Sequence, residues 1–165
     1  MTPRRTAKAP RPRVRKRAPR YAVSIAGPVV VDASIAFLWF VNEPGGVRAA
    51  RLLETESALL APDLMAAEAT NAWWKKLRRG EMELADVEQA VTNLLALGIA
   101  WTASTVLLRP AARLAVEVEH PVYDCLYLAL AASHGAALAT ADARLRQTAE
   151  RLGVRIWSDE GRAAR

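Results

Sequence analysis

The apolar residues of this chain fall into short runs separated by longer amphipathic stretches. Val29-Val30-Val31, led in by Pro28, is β-branched throughout, the pattern of a strand buried on both faces. The run ends at Asp32, and residues 34–41 then read as a short apolar helix stopped by Asn42-Glu-Pro-Gly-Gly46. Residues 47–54 predict a second helix with Val47, Ala50, Leu52 and Leu53 on its inner side and Arg48 and Arg51 off it. Residues 58–61 predict a strand closed by Pro62. Residues 63–79 predict a long helix with Asp63 as N-cap, basic residues in its last turn and Gly80 just beyond. A helix over 84–97 stops at Gly98, a strand covers 99–102, and a helix over 105–118 carries Pro110 in its early turns. Pro121 opens a helix over 122–133, which His134-Gly135 ends. A strand over 137–140, a helix over 143–152 and a last strand over 154–157 follow. Five short strands alternating with helices predict an α/β fold, a three-layer α/β/α sandwich around a short, mostly parallel five-stranded sheet.

A length of 165 residues and an apolar fraction of 52% suit one globular domain with a real core and exclude a wholly disordered chain. A single cysteine, Cys125, excludes an intramolecular disulfide framework and a Cys-rich zinc site. The formal net charge of +6 suggests a basic nucleic-acid-binding face until it is located along the chain. Nine of the 23 basic residues and no acid lie in residues 1–20, which leaves 14 basic against 17 acidic residues, a charge of −3, for the remainder. Rich in Pro and Arg and almost free of large apolar side chains, residues 1–21 read as a disordered basic arm, with the domain proper over 22–165. The arm has three readings: a phosphate-binding tail, a non-specific solvated tail, or residues added by a wrongly assigned start codon. The apolar stretch over 21–41 could imitate a membrane anchor, but Gly27-Pro28 interrupts it. Asp32 would then sit at mid-membrane, at a cost of about 2.5–3.5 kcal/mol. A cytoplasmic protein without a membrane association is expected.

Candidate chemistry is carried by acids rather than bases. In an open parallel sheet ligands bind beyond the carboxyl ends of the strands. Asp32 follows the first strand there, and Asp142 follows Leu138-Ala139-Thr140. Glu68 and Asp124 fall in early turns of the helices after Pro62 and Pro121. If these four converge at one rim, their repulsion calls for a cation, and hard oxygen donors select Mg²⁺ or Mn²⁺. Such a cation activates water and neutralises charge on a leaving oxygen, which suits hydrolysis of a phosphodiester. Each acid also has a plainer reading: Asp142 as a helix cap, Asp124 as a first-turn acid favoured by the helix dipole, Glu68 as a solvated helix residue. Asp32 is the hardest to read that way, because an acid directly after a fully apolar strand needs a partner.

Val-Val-Val-Asp-Ala-Ser (29–34), Ala-Pro-Asp-Leu (61–64) with Glu-Ala-Thr-Asn-Ala (68–72), Val-Tyr-Asp-Cys-Leu-Tyr-Leu-Ala-Leu-Ala (122–131) and Leu-Ala-Thr-Ala-Asp (138–142) together resemble PIN-domain ribonucleases. The likeness is nearest to the VapC-like toxins of toxin–antitoxin modules and spans about residues 28–158. It implies a PIN-like fold and a catalytic, metal-binding quartet of Asp32, Glu68, Asp124 and Asp142. It also implies Mg²⁺ or Mn²⁺ as cofactor, cleavage of RNA, a homodimer, and a small VapB-like antitoxin as partner. Asp32, Asp124 and Asp142 are then the principal ligands, and Glu68 a ligand or a water-orienting group. Ser34, Asn71 and Thr140 would hold carboxylate rotamers. The basic arm departs from the family pattern. The alternative reading is a non-catalytic nucleic-acid-binding module that uses that arm.

The two histidines, His120 and His134, read as loop or helix-cap residues, and Cys125 as a buried structural thiol among Leu126, Leu128 and Ala129. Lys75, Lys76, Arg78 and Arg79 either hold RNA phosphates or complement a helix dipole. Trp73 falls on the core face of its helix, and Trp74 lies off it, placed for a dimer or antitoxin contact.

Overall fold

The computed structural model describes residues 27–159. The basic arm expected over 1–21 lies outside them. Along the described residues the order is β1 (Val29–Val31), α1 (Ala33–Leu38), α2 (Gly46–Leu53), β2 (Leu59–Pro62), α3 (Leu64–Arg78), α4 (Leu84–Ala96), β3 (Ile99–Thr102), α5 (Ser104–Val118), α6 (Val122–His134), β4 (Ala137–Ala139) and α7 (Ala143–Arg151). The strands form one sheet in the order β3-β2-β1-β4, and every pairing is parallel. Val30 of β1 stands between Leu60 of β2 and Leu138 of β4. A central parallel strand is covered on both faces, which is why β1 is all valine and all buried.

The α/β/α reading holds, with four strands rather than five. The expected last strand over 154–157 shrinks to one bridge, from Ile156 to Leu138. Alternation along β4 explains the reduction. The Ala137 N–H goes to Pro28 and the Ala139 carbonyl to Asp32, on the β1 side. That leaves the N–H and C=O of Leu138 facing outward, and they bond Arg155 at 2.8 Å and Trp157 at 2.9 Å. A three-residue edge strand offers one outward residue, so its neighbour makes one bridge.

Helix α6 is apolar on every side from Cys125 to Ala131, apart from the Tyr127 hydroxyl, and all seven of those residues are buried. Such a helix belongs inside. It packs against β1, β2 and β4, with α5 on its other side. Gly135 ends it in the left-handed region, at φ 57°. Helix α3 packs on β2, α1 and α4 through Met65, Ala69 and Trp73, spaced four residues apart on one face. Trp73 is fully buried as expected. Its indole N–H donates to the Phe37 carbonyl at 3.3 Å, and its ring meets Phe40 edge-on at 5.5 Å.

The inner face of α2 differs from the expected one: Ala49 and Leu52 are buried, whereas Val47 is 77% exposed and Leu53 40%. Asp63 stands at the N-cap position of α3 but does not cap it. Its carboxylate accepts instead from the Ser104 N–H at 2.9 Å and from the Ser104 hydroxyl, tying the starts of α3 and α5 together. Among the described residues no helix is long and apolar enough to cross a membrane.

Candidate active site

Parallel strands end at a common rim, so the residues that follow β1 and β4 meet there. Val31 pairs with Ala139, and the next residues, Asp32 and Thr140, come side by side. Asp32 has extended backbone and caps α1, its carboxylate accepting from the Ser34 N–H at 3.3 Å. The same oxygen, Oδ2, accepts from the Ser34 hydroxyl and from Thr140 Oγ1 at 2.8 Å. Ser34 Oγ in turn takes the Ala141 N–H at 2.9 Å, and Thr140 Oγ1 takes the Asp142 N–H at 3.0 Å. These bonds weld the loop after β4 to the loop after β1. Asp32 is only 6% exposed, and burial pushes its pKa up even though the Ser34 and Thr140 donors pull it down.

Glu68, in the second turn of α3, is half-buried, and its Oε2 accepts from the Tyr127 hydroxyl at 2.5 Å. Burial raises its pKa, the Tyr127 bond opposes this, and the charges of Asp32 and Asp124 raise it further. Asp124, in the first turn of α6, is also half-buried, with Oδ2 2.9 Å from His120 Nε2. Its pKa is raised by burial first; His120 counteracts this, while Asp32 and Asp142 add to it. Asp142 is exposed and caps α7, accepting from the Leu145 N–H at 2.8 Å. The charges of Asp32 and Asp124 thus reach Glu68, and those of Asp32 and Asp142 reach Asp124. Asn71 does not join them: it is exposed on α3 and hydrogen-bonds none of the four.

Two partners of this cluster were not legible as such. His120 reads as a loop residue, yet it is buried and faces Asp124 from four positions upstream, a spacing that could have flagged the pair. The phenol of Tyr127 is fully buried against Glu68, and burial, followed by the nearby acids, drives its ionisation out of reach. Cys125 is buried and its thiol pKa is pushed up by burial and by Asp124, which suits a structural thiol. His134 stays at the end of α6, its Nδ1 against Ser133 Oγ and the Leu130 carbonyl.

Hard oxygen donors held close enough to repel one another suit a divalent cation such as Mg²⁺ or Mn²⁺, and Asp32, Glu68, Asp124 and Asp142 are the residues that could hold one after their side chains turn inward. Their side chains are turned onto protein donors, and among the described residues no three His, Cys, Asp or Glu side chains are arranged to hold a metal ion. A groove of about 370 Å³ opens beside Glu68 and Ser34 and runs over apolar Phe37, Leu38 and Pro44. A second groove, about 400 Å³, lies away from the acids at the far end of α3, beside Lys76, Glu81 and Asp86.

The family model of the PIN domain matches residues 29–151, from β1 to the end of α7. This chain belongs to the PIN-domain family. Its PIN domain is 34% identical over 132 residues to Ribonuclease VapC3 of Pyrobaculum aerophilum, covering 75% of this chain and 94% of that protein. The crystal structure of PAE2754, also from Pyrobaculum aerophilum, superposes with a TM-score of 0.59 at 25% identity, over 78% of this chain and 83% of that one. The same PIN fold is seen in VapC20 of Mycobacterium tuberculosis, a sarcin-ricin loop cleaving toxin, with a TM-score of 0.59 at 16% identity over 72% and 93% of the two chains.

Proposed function

We propose that this PIN domain is a Mg²⁺- or Mn²⁺-dependent endoribonuclease that hydrolyses RNA phosphodiester bonds as the toxin of a toxin–antitoxin pair. The observation that carries the reading is the convergence of acids at the sheet rim, where the charges of Asp32 and Asp124 reach Glu68 and those of Asp32 and Asp142 reach Asp124, an excess of negative charge that calls for a cation. When bound, the cation supplies water activation near neutral pH and neutralises charge on the leaving oxygen. The chain's own residues do the placing. Asp32, locked by Ser34 and Thr140, gives a fixed carboxylate at the centre of the rim. Asp124 and Asp142 flank it as further ligands. Glu68 offers Oε1, the oxygen that Tyr127 does not occupy, as a ligand to the cation or as a hold on its water. The apolar groove beside Glu68 accommodates a splayed base.

Likeness to a ribonuclease named VapC3 supports the toxin role; a small VapB-like antitoxin as partner and a homodimer as the working form complete the proposal. Trp74, 45% exposed with Arg78 stacked 5.4 Å from its ring centroid, is a candidate contact for either. The test is cleavage of RNA by the purified chain with Mg²⁺ or Mn²⁺. Asp32→Asn and Asp124→Asn should each abolish it while the circular dichroism spectrum is kept. Wild-type cleavage by either variant would show that the residue is not part of the site. Salt-steep RNA binding with no cleavage under any divalent metal would favour the non-catalytic module.

A further inference from the structure

Asp124 and Tyr127, three residues apart, share one face of α6, and His120, just before the helix, faces Asp124, so the three line a polar edge on an otherwise apolar segment. A buried tyrosine hydroxyl must find a partner, and this one reaches across to α3, 59 residues away in sequence, to take Glu68. Packing alone would be served as well by phenylalanine. The His120 side chain is 2% exposed, and its Nε2 is, among the described residues, the one buried side-chain nitrogen or oxygen without a well-formed hydrogen bond. It nevertheless stands 2.9 Å from Asp124 Oδ2, so the ring is aimed at that carboxylate but not aligned with it. The turn before it is strained. Glu119 lies in the left-handed region at φ 52°, alone in this among the described non-glycine residues, and the His120 N–H turns back to the Ala115 carbonyl at 3.2 Å. That turn swings the imidazole under α6 rather than out to water.

We propose that His120 and Tyr127 are positioning residues, which orient the carboxylates of Asp124 and Glu68 for the divalent cation. The inference rests on the nuclease reading. Tyr127 holds one oxygen of Glu68 and leaves the other pointing at the rim. His120 stands against Asp124 and would align with its carboxylate once that carboxylate is turned to a bound cation. Neither residue touches the cation or the RNA; each acts through the acid it faces, as outer partners of metal ligands do.

Mn²⁺ affinity of the full chain, measured by calorimetry with no RNA present, tests this apart from turnover. Tyr127→Phe keeps the ring and removes only the donor. It should weaken Mn²⁺ binding about ten-fold, leave Tm within error of wild type, and have no further effect in a Glu68→Gln background. His120→Gln, which carries an amide nitrogen to the place of Nε2, should bind Mn²⁺ like wild type. His120→Asn, too short to reach Asp124, should bind it about ten-fold more weakly. Wild-type Mn²⁺ affinity in both Tyr127→Phe and His120→Asn would overturn the proposal, as would an undiminished Tyr127→Phe effect without Glu68, or equal losses in His120→Gln and His120→Asn. A wild-type chain that binds no Mn²⁺ would overturn the nuclease reading along with it.

Discussion

The two ends of α3 carry charge in opposite ways. At its start Glu68 faces Asp32 and Asp124, and burial pushes the pKa values of all three up, with like charges adding to it at Glu68 and Asp124. At its end Lys76, 8% exposed, lies 2.6 Å from Glu43 and 2.5 Å from Glu81, and Arg79 lies 2.5 Å from the other oxygen of Glu81. There the Glu81 pKa falls to about 2, through hydrogen bonds first from Arg79 and then from Lys76. The second cluster is complete within the chain and staples the loop after α1 to the turn after α3. The first is incomplete, because among the described residues only His120 stands within ion-pair reach of its acids. Charged residues crowd both ends, and only the pairing separates a fastener from a site that wants a ligand.

The largest effect that could break this contrast is on turnover. Asp32→Asn should lower Mn²⁺-dependent RNA cleavage by at least on the order of 10²–10³-fold, to the background of the assay, as loss of several kcal/mol of charge stabilisation requires. A next effect is on stability against pH. Asp32, Glu68 and Asp124 have folded pKa values above their unfolded ones, so the folded chain binds more protons than the unfolded chain in that window. Without metal, stability contributed by this cluster is therefore present below the ordinary carboxylate range and is lost as pH rises through the raised values. Thermal unfolding of Asp32→Asn should show a shallower loss than wild type over the same range.

The other end of α3 has the reverse sign. Glu81 contributes stability above its ordinary pKa of 4.5, and that contribution fades as pH falls toward about 2. Lys76→Met should lower Tm near neutral pH, flatten this acid loss, and leave Mn²⁺ affinity unchanged. The smallest effect belongs to Lys75, exposed on the last turns of α3. If it holds an RNA phosphate, Lys75→Ala should reduce the slope of log affinity against log salt by about 0.7. The paired Lys76 and Arg79 are committed within the chain, so they are poor candidates for that role.

Local pattern carried most of the fold. The Val29–Val31 run, the Gly135 stop and the apolar α6 stretch were each readable because one short segment decided them. The inner face of α2 was not, because Val47, Ala50 and Leu53 make as good a stripe as Ala49 and Leu52 until α1 is placed against the helix. At the rim, Asp32 was conspicuous as an acid behind an apolar strand. Its partners Ser34 and Thr140 were named only through the family resemblance, and the structure brings them to it through a separation of two residues and through the parallel register. Tyr127 was hidden because its partner lies on another helix, and His120 because a strained turn redirects a residue that its neighbours describe as loop. Contacts that depend on two distant segments meeting leave no mark on either one.

The contrast between the two ends of α3 rests on one claim, that the acids at the rim await a divalent cation. Thermal unfolding with and without Mn²⁺, on wild type and Asp32→Asn side by side, tests it most directly. The account predicts that Mn²⁺ at a hundred times its Kd stabilises wild type by about 2.7 kcal/mol, with the gain largely absent in Asp32→Asn. Equal stabilisation of the two proteins, or none in wild type, would contradict it.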